Sequence, residues 1–175
     1  HSCQTYRANF GEIDEKDIRE VKADELPNFD VLLGGFPCQP FSMIGKRDGL
    51  ADPRGQLFNE IVRILDVKKP RAFVLENVKN LLNHNRGETF KYIKNALEKA
   101  GGGYTVFVEI LNSKNFGVPQ QRARTYMVGL KNNQSSFVFP QRGKYARTKT
   151  LADVLENKVD ESYYLTEKYY KGLLN

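Results

Sequence analysis

Apolar residues along this chain fall into short continuous runs separated by longer stretches with helical spacing, a pattern that predicts alternating strands and helices. A helix is predicted over residues 56–67, where Leu57, Ile61 and Ile64 recur on one face. A second helix is predicted through residues 90–97, and the glycines that follow are typical of a helix end. Buried strands are predicted over residues 29–33, 72–75, 104–111 and 125–130, with a weaker candidate at residues 137–139.

Strands that alternate with helices indicate an α/β fold with a mostly parallel sheet flanked by helices. In such sheets ligands bind at the carboxyl ends of the strands, which directs attention to residues 34–42 and to Glu76 and Asn77. Towards the end of the chain the pattern weakens, and residues 158–175 contain aromatic pairs without a clear period. This last segment is either a helix docked on the domain or the first part of a further region.

The composition is that of an ordinary globular protein. The chain has 175 residues, of which 40% are hydrophobic and 27% charged, and these values exclude a disordered polymer or a fibrous repeat. The two cysteines form no disulfide framework, and without a Cys-x-x-Cys pair they indicate no zinc site. No apolar run approaches the roughly 20 residues that span a bilayer. We therefore expect a cytoplasmic protein with no metal and no membrane partner.

Positive charge is concentrated in one part of the chain. The net charge is +6, yet residues 1–30 hold eight acidic side chains and only four basic ones. Residues 110–152 contain eight Lys and Arg side chains and no acidic one. This stretch indicates a polyanionic partner, although a solvated basic surface would explain it equally well.

Three short motifs carry candidate chemistry. Cys38 lies among prolines and glycines in a turn, where a thiol is either a small buried hydrophobe or a nucleophile activated by nearby positive charge. Glu76 directly follows a buried strand, as either a neighbour of a helix cap or a general acid. Alternation along an extended segment would place Gln120, Arg122 and Arg124 on one face. Two arginines there suit carbonyl or phosphate oxygens, and the alternative is a salt-bridged edge strand.

Together these motifs resemble those of the cytosine-5 DNA methyltransferases. Five segments are similar to family motifs in order and spacing: an adenine-contacting motif at residues 17–31, a catalytic-cysteine motif at 35–42, the end of a mobile loop at 54–58, a glutamate motif at 76–78 and a paired-arginine motif at 120–124. A single motif could arise by chance, but five in register could not easily do so.

The resemblance implies a Rossmann-like methyltransferase fold, S-adenosylmethionine as cofactor, and methyl transfer to carbon 5 of a cytosine flipped out of double-stranded DNA. It implies that Cys38 adds to carbon 6 of the base and that Glu76 donates a hydrogen bond or proton to ring nitrogen 3. It also implies that Arg124, with Arg122, stabilises charge on the carbonyl oxygen of the base.

The resemblance further assigns binding residues. Cofactor contacts are implied at Asp17, Ile18, Pro37 and Leu57. Nucleic-acid contacts are implied at Gln39, Ser42, Lys46, Arg47, Arg54 and Gln120. Side chains that contact phosphates would make the affinity dependent on salt and largely independent of sequence.

Several parts of the family pattern have no match within residues 1–175. On the cofactor side these are the glycine-rich motif that holds the methionine part, the acidic residue for the ribose and the closing motifs of the pattern. The target-recognition region also has no match. We therefore expect residues 1–140 to form part of a catalytic domain and residues 141–175 to lead towards a recognition domain. A complementing methyltransferase fragment is an expected partner, in a restriction-modification system.

Two other functions stay open at this point. A DNA-binding remnant without catalysis would use the basic residues 110–152. An RNA-directed branch of the family shares the cysteine and glutamate motifs, so a tRNA cytosine is an alternative substrate. A zinc-dependent deaminase is excluded, because His1 and His84 have no Cys-x-x-Cys partner.

Overall fold

The computed structural model describes residues 1–37, 56–131, 136–141, 143, 149–164, 166, 167 and 169. Its regular elements are three α-helices and four strands: α1 (Ser2–Phe10), β1 (Val31–Gly35), α2 (Gln56–Lys68), β2 (Ala72–Val78), α3 (Glu88–Lys99), β3 (Thr105–Asn112) and β4 (Ala123–Leu130). The chain divides into two compact units, one made of His1–Asn112 with Ala123–Pro140 and the other of Ser113–Arg122 with Gln141–Asn175.

The sheet of the first unit contains its described strands in the order β1-β2-β4-β3. The α/β class is confirmed, with β1 and β2 parallel and joined through α2. The expectation of a mostly parallel sheet does not hold for these strands, since β4 pairs antiparallel with both β2 and β3. The reason is local: only the loop Ser113–Arg122 joins β3 to β4, and a parallel pair would need a longer crossover.

The core lies where α2 and α3 cover one face of the sheet. Both helices have the predicted amphipathic spacing, and their apolar faces pack on alternate, inward-facing strand residues. Fully buried members of this core include Phe58, Leu65, Phe73, Leu75, Ile93, Leu97 and Met127. Burial of a Leu or Phe side chain contributes roughly 1.5–3 kcal/mol, so this cluster holds the helices against the sheet.

Most predicted elements are present, with differences at their ends. β1 begins two residues later than predicted, at Val31, and runs through the glycines to Gly35. The weak candidate at residues 137–139 is not a strand; instead the Phe137 ring packs on Phe107, with ring centres 5.8 Å apart. The helix α1 was not predicted, because none of its residues is buried and its sequence has no apolar stripe.

The strand β1 exposes apolar side chains on one face. Val31 is 50% exposed and Leu33 is 75% exposed, whereas the intervening residue is partly covered. Within the described part of the chain, β1 pairs only with β2, so it is an edge strand rather than the buried strand that its apolar run predicted. Edge strands with exposed apolar residues are prone to pair with other chains.

Bonds between side chains and backbone groups hold the end of the sheet where β2 begins. The Tyr104 hydroxyl donates to the carbonyl of Pro70 at 2.7 Å, and the amide of Gly101 donates to Oδ1 of the exposed Asp66 at 2.7 Å. Tyr104 is only 6% exposed, and its burial raises the pKa of its hydroxyl to about 12. The bond from Tyr104 is therefore shielded from water, whereas the bond to Asp66 is only partly buried.

The second unit consists of short, locally bonded segments. At one end of the loop Ser113–Arg122, the amide of Ser113 donates to the carbonyl of Arg122 at 3.2 Å. Near the end of the chain, Thr150 and Asp153 form a reciprocal capping box. The backbone and side-chain bonds from Thr150 lower the pKa of Asp153. No helix among the described residues is both long and apolar enough to cross a membrane.

Candidate active site

The carboxyl end of β2 carries an ion pair between two residues of the predicted site. Arg124 Nε lies 2.9 Å from Glu76 Oε1, and the side chains are 22% and 37% exposed. In the antiparallel register Val78 is opposite Arg124, so Glu76 and Arg124 are diagonal neighbours on one face of the sheet. A hydrogen-bond acceptor, Glu76, and a hydrogen-bond donor, Arg124, are thus both accessible on adjacent strands.

The guanidinium of Arg124 has donors to spare for a ligand. One Nη1 hydrogen bond goes to the carbonyl of Ala123 at 3.0 Å, and Nε faces Glu76. A guanidinium has five N–H donors in a planar fork, of which these contacts use two. Arg124 is therefore able to hold Glu76 and an additional acceptor at the same time.

The end of β1 brings the cysteine motif to this pair. Gly35 is in register with Glu76 in the parallel β1–β2 pairing. A Cβ added at Gly35 would lie 3.7 Å from Glu76 Oε2, so the chain passes close to the carboxylate. Pro37 is exposed and is the last described residue before Cys38.

A buried asparagine ties the two strand ends together. Asn77 is 2% exposed, and its Nδ2 donates to the carbonyl of Phe36 at 2.8 Å. Its Oδ1 accepts from the amide of Val78 at 2.8 Å, so both ends of the amide group are used. On the neighbouring strand, buried Thr125 donates its hydroxyl to the Val78 carbonyl at 3.3 Å. These bonds fix the backbone on both sides of Glu76.

Six of the predicted site residues fall in the stretch between Pro37 and α2. Cys38, Gln39, Ser42, Lys46, Arg47 and Arg54 lie outside the described residues. The described part of the site therefore consists of the end of β1, the end of β2 and the start of β4.

The paired-arginine motif is arranged differently from the prediction. The strand β4 begins at Ala123, so of the three predicted side chains only Arg124 lies on a strand. Gln120 lies in a bend, and its carbonyl accepts from the Ser113 hydroxyl at 2.5 Å. The predicted extended segment through Gln120 is wrong, because the turn containing Gly117 at φ 82° brings the chain back on itself before β4 begins. Gln120 and Arg122 are both exposed.

The predicted adenine-contacting segment lies beside α2. Asp17 is held by Arg19, whose amide and Nε each donate to Oδ1 at 2.9 Å. The side-chain bond from Arg19 has the largest effect and its backbone bond the next largest, and together they lower the pKa of Asp17 to about 2. Ile18 and Leu57 are both partly exposed.

These residues fit the adenosine part of S-adenosylmethionine. The aliphatic side chains of Ile18 and Leu57 suit the faces of a purine ring. A carboxylate accepts about four hydrogen bonds, and the bonds from Arg19 leave capacity on Asp17 Oδ2 for a further donor. Among the described residues no group of three His, Cys, Asp or Glu side chains is close enough to hold a metal ion.

The structure assigns positioning roles to three residues, of which the sequence singled out only Asn77, as part of the glutamate motif and without a role. Asn77 and Thr125 hold the backbone around Glu76, and Arg63 of α2 donates to carbonyls of the adenine-contacting segment. A polar residue at an inward-facing position of an apolar strand was the available signal for Asn77 and Thr125. Arg63 gave a weaker signal, as a charged residue between apolar positions of a helix.

The profile of the family described as C-5 cytosine-specific DNA methylase matches residues 1–174. The chain belongs to this family. It is 45% identical over 174 residues to the type II methyltransferase M.SsoII of Shigella sonnei, a match that covers 97% of this chain and 45% of that protein. It is 46% identical over 173 residues to the type II methyltransferase M.HaeII of Haemophilus aegyptius, covering 97% of this chain and 52% of that protein. The methylase-family chain thus spans about half the length of these curated relatives.

Solved structures share the fold. The Entamoeba histolytica methyltransferase EhMeth superimposes with a TM-score of 0.74 at 23% identity, covering 99% of this chain and 55% of that one. The Dnmt2 methyltransferase of S. pombe superimposes with a TM-score of 0.67 at 24% identity, covering 97% of this chain and 55% of that one. These superpositions confirm the Rossmann-like methyltransferase class that the motifs implied. The family and the fold together imply S-adenosylmethionine as the cofactor.

Proposed function

We propose that this chain is the catalytic segment of a DNA (cytosine-5-)-methyltransferase that transfers a methyl group from S-adenosylmethionine to a flipped-out cytosine. The observation that carries the proposal is the Glu76–Arg124 pair at the end of β2, next to the backbone that leads into the Cys38 motif. Membership of the DNA methylase family supports the same reaction.

In this mechanism the thiolate of Cys38 attacks carbon 6 of the base. Carbon 5 of cytosine is a poor nucleophile, and formation of the sulfur–carbon bond moves electron density onto it. The target base must leave the stacked duplex to be attacked, at a cost of a few kcal/mol. When bound, the cofactor supplies an electrophilic methyl group. Loss of the carbon-5 proton then expels the thiolate and restores the ring.

Glu76 and Arg124 stabilise the base as Cys38 attacks. In its protonated form, with Oε1 still accepting from Arg124, Glu76 donates a hydrogen bond or proton to ring nitrogen 3, which offsets the charge that develops in the ring. Arg124 keeps Nε on Glu76 and uses its remaining N–H donors for the carbonyl oxygen of the base. Arg122 assists at the same oxygen. The bonds made by Asn77 hold this arrangement in place before the base arrives.

Binding residues follow from the motifs. Asp17, Ile18, Pro37 and Leu57 hold the cofactor. Double-stranded DNA is held by side chains of the loop and of the basic stretch: Gln39, Ser42, Lys46, Arg47, Arg54 and Gln120. The family description and the type II methyltransferase relatives support DNA rather than tRNA as the substrate.

We further propose that activity requires additional methyltransferase polypeptide. The exposed apolar face of β1, an edge strand among the described strands, is the observation behind this proposal. In this proposal residues 1–140 are part of the catalytic domain and residues 141–175 lead to a recognition domain. The assembled enzyme acts in the cytoplasm, as part of a restriction-modification system.

A trapping experiment tests the reaction. The chain is mixed with a polypeptide that carries the glycine-rich motif and the recognition region, together with S-adenosylmethionine and DNA containing 5-fluorocytosine. Fluorine at carbon 5 blocks the final elimination, so the expected result is a covalent protein–DNA adduct that survives denaturation.

Two cysteine variants provide a matched comparison. Cys38→Ser should abolish the adduct, whereas Cys3→Ser, which removes the only other thiol, should leave its yield unchanged. An adduct that persists in Cys38→Ser, or the absence of any adduct in the wild-type mixture, would overturn the proposed function. DNA binding without an adduct would favour a catalytically silent DNA-binding protein.

A further inference from the structure

Arg63 connects the helix α2 to a segment far away in the sequence. Its Nη2 donates to the carbonyl of Ile18 at 3.1 Å and to the carbonyl of Val21 at 2.8 Å. Its Nε donates to Glu60 Oε2 at 2.6 Å, one turn earlier on the same helix. Arg63 and Glu60 are 35% and 17% exposed, so the guanidinium is partly shielded from water.

The chemistry of this contact requires an arginine. The carbonyls of Ile18 and Val21 belong to one short turn, in which the Val21 amide also donates to the Ile18 carbonyl. A planar guanidinium presents several N–H donors in a fixed fork, so it can bond both carbonyls while its Nε stays on Glu60. Glu60 in turn fixes the rotamer of Arg63. The contact therefore sets the distance and orientation of the turn relative to α2.

The turn held in this way is the proposed adenosine site. Asp17 precedes this turn and Ile18 is its first residue. Leu57 lies on the same helix as Arg63. Residues 11–30 contain no helix or strand, so little regular backbone bonding holds Asp17 and Ile18 in place. A binding surface made from two separate segments has high affinity only when their spacing is fixed beforehand.

We propose that Arg63, supported by Glu60, is a positioning residue for the cofactor site, holding the Asp17–Ile18 turn against α2 so that S-adenosylmethionine meets a preformed surface. This inference rests on the proposed function. It predicts that loss of Arg63 weakens cofactor affinity without changing the chemistry of the methyl transfer itself.

The test compares Arg63→Met and Arg63→Lys with Lys68→Met. Lys68 lies on the same helix and donates to the carbonyl of Asp24 at 3.0 Å, so it is a matched control that contacts the same segment beyond the turn. In the complemented mixture, Arg63→Met should raise the Kd for S-adenosylmethionine about tenfold. Arg63→Lys should recover only part of that loss, and Lys68→Met should bind like wild type.

Two further measurements separate positioning from general damage. At saturating S-adenosylmethionine, the rate of adduct formation by Arg63→Met should return to within about twofold of wild type, because only the cofactor affinity has changed. Amide hydrogen exchange on the chain itself should accelerate at Glu20 and Val21 but not in β2.

Several results would contradict the positioning role of Arg63. Unchanged exchange at Val21 in Arg63→Met, or faster exchange with an unchanged Kd, would overturn the positioning role. If the wild-type mixture itself binds no S-adenosylmethionine, the proposed function fails together with the cofactor role, and the exchange data still show whether Arg63 holds the turn. Equal losses in Arg63→Met and Lys68→Met would also overturn the specific role of Arg63.

Discussion

The two ends of β2 are built from similar bonds in different surroundings. Where the strand begins, the Tyr104 hydroxyl donates to the carbonyl of Pro70. Where the strand ends, the Thr125 hydroxyl donates to the carbonyl of Val78. Each is a hydroxyl from a buried side chain that satisfies a backbone acceptor. The first lies beside Lys131, whose Nζ is 5.7 Å from the centre of the Tyr104 ring, whereas the second lies beside the partly exposed Glu76–Arg124 ion pair.

The difference shows how one strand serves stability and chemistry at once. At the end where β2 begins, here called the closed end, Tyr104 and Pro70 are buried and Gly101 packs against the Tyr104 ring, so changes there should alter the free energy of unfolding. At the open end, Glu76 and Arg124 have partners and are also accessible, so changes there should alter the reaction more than the fold. The four predictions below test this division, from the largest expected effect to the smallest.

The largest effect is expected from Gly101→Ala at the closed end. Gly101 has φ +59°, and a Cβ there would lie 2.6 Å from the carbonyl oxygen of Leu65 and 3.1 Å from the ring of Tyr104. The clash and the strained backbone should together lower the free energy of unfolding by about 3–5 kcal/mol, as measured by urea denaturation. The control is Gly102→Ala, which has φ +87° but meets nothing within 4 Å. It should lose only about 1 kcal/mol, and an equal loss in both would show that the clash is not the cause.

At the open end, Glu76→Gln should slow methyl transfer about 10²–10³-fold, equivalent to about 3–4 kcal/mol of transition-state stabilisation. The amide keeps the shape of the side chain but cannot provide a proton to the base. Fluorescence anisotropy should show DNA affinity within about threefold of wild type, since the residue acts on the reacting ring. Equal losses in rate and in DNA affinity would contradict the role assigned to Glu76.

Tyr104→Phe should lower the free energy of unfolding by about 1–2 kcal/mol, because the Pro70 carbonyl loses its hydroxyl donor in a buried site. The effect should depend on pH. Burial raises the pKa of Tyr104 to about 12, so its contribution is complete below pH 10, the ordinary value, and is lost as the pH rises to 12. The difference in stability between wild type and Tyr104→Phe should therefore shrink over that range. A constant difference would mean that the hydroxyl does not stay protonated in the folded protein.

Thr125→Val should have the smallest effect on stability, about 0.5–1 kcal/mol, because valine keeps the branched shape and removes only the bond to Val78. Its effect on the methyl-transfer rate should exceed that of Tyr104→Phe, although its effect on unfolding is smaller. Parallel kinetic and denaturation measurements on the two variants make this comparison. A larger loss of methyl-transfer rate in Tyr104→Phe than in Thr125→Val would contradict the proposed division between the two ends of β2.

Helices and strands were predicted correctly where burial imposes a regular spacing of apolar residues. The amphipathic spacing of α2 and α3 and the apolar runs of β2, β3 and β4 were sufficient to locate them. The prediction was wrong where pairing between distant strands determines the sheet. No local sequence pattern indicates that β4 lies between β2 and β3, or that β1 lies at an edge of the described sheet.

The site shows the same limit. Glu76 and Arg124 were predicted from their motifs, yet their contact depends on an antiparallel register that joins residues far apart in the chain. The roles of Asn77 and Arg63 depend on carbonyl groups, which every residue carries and which therefore leave no trace in a sequence. The bend at Gln120 was missed because alternation of side chains predicts a common face only where the backbone is extended.

The bond from Asn77 to Phe36 has a consequence for backbone freedom. The Phe36 carbonyl belongs to the peptide plane that Phe36 shares with Pro37, and a hydrogen bond from a buried side chain fixes that plane. The pyrrolidine ring holds φ of Pro37 near −65°. Only one soft torsion, ψ of Pro37, then separates an anchored plane from the α-carbon of Cys38. Between Phe36 and the residue that carries the proposed nucleophile, the backbone thus keeps a single freely rotating bond.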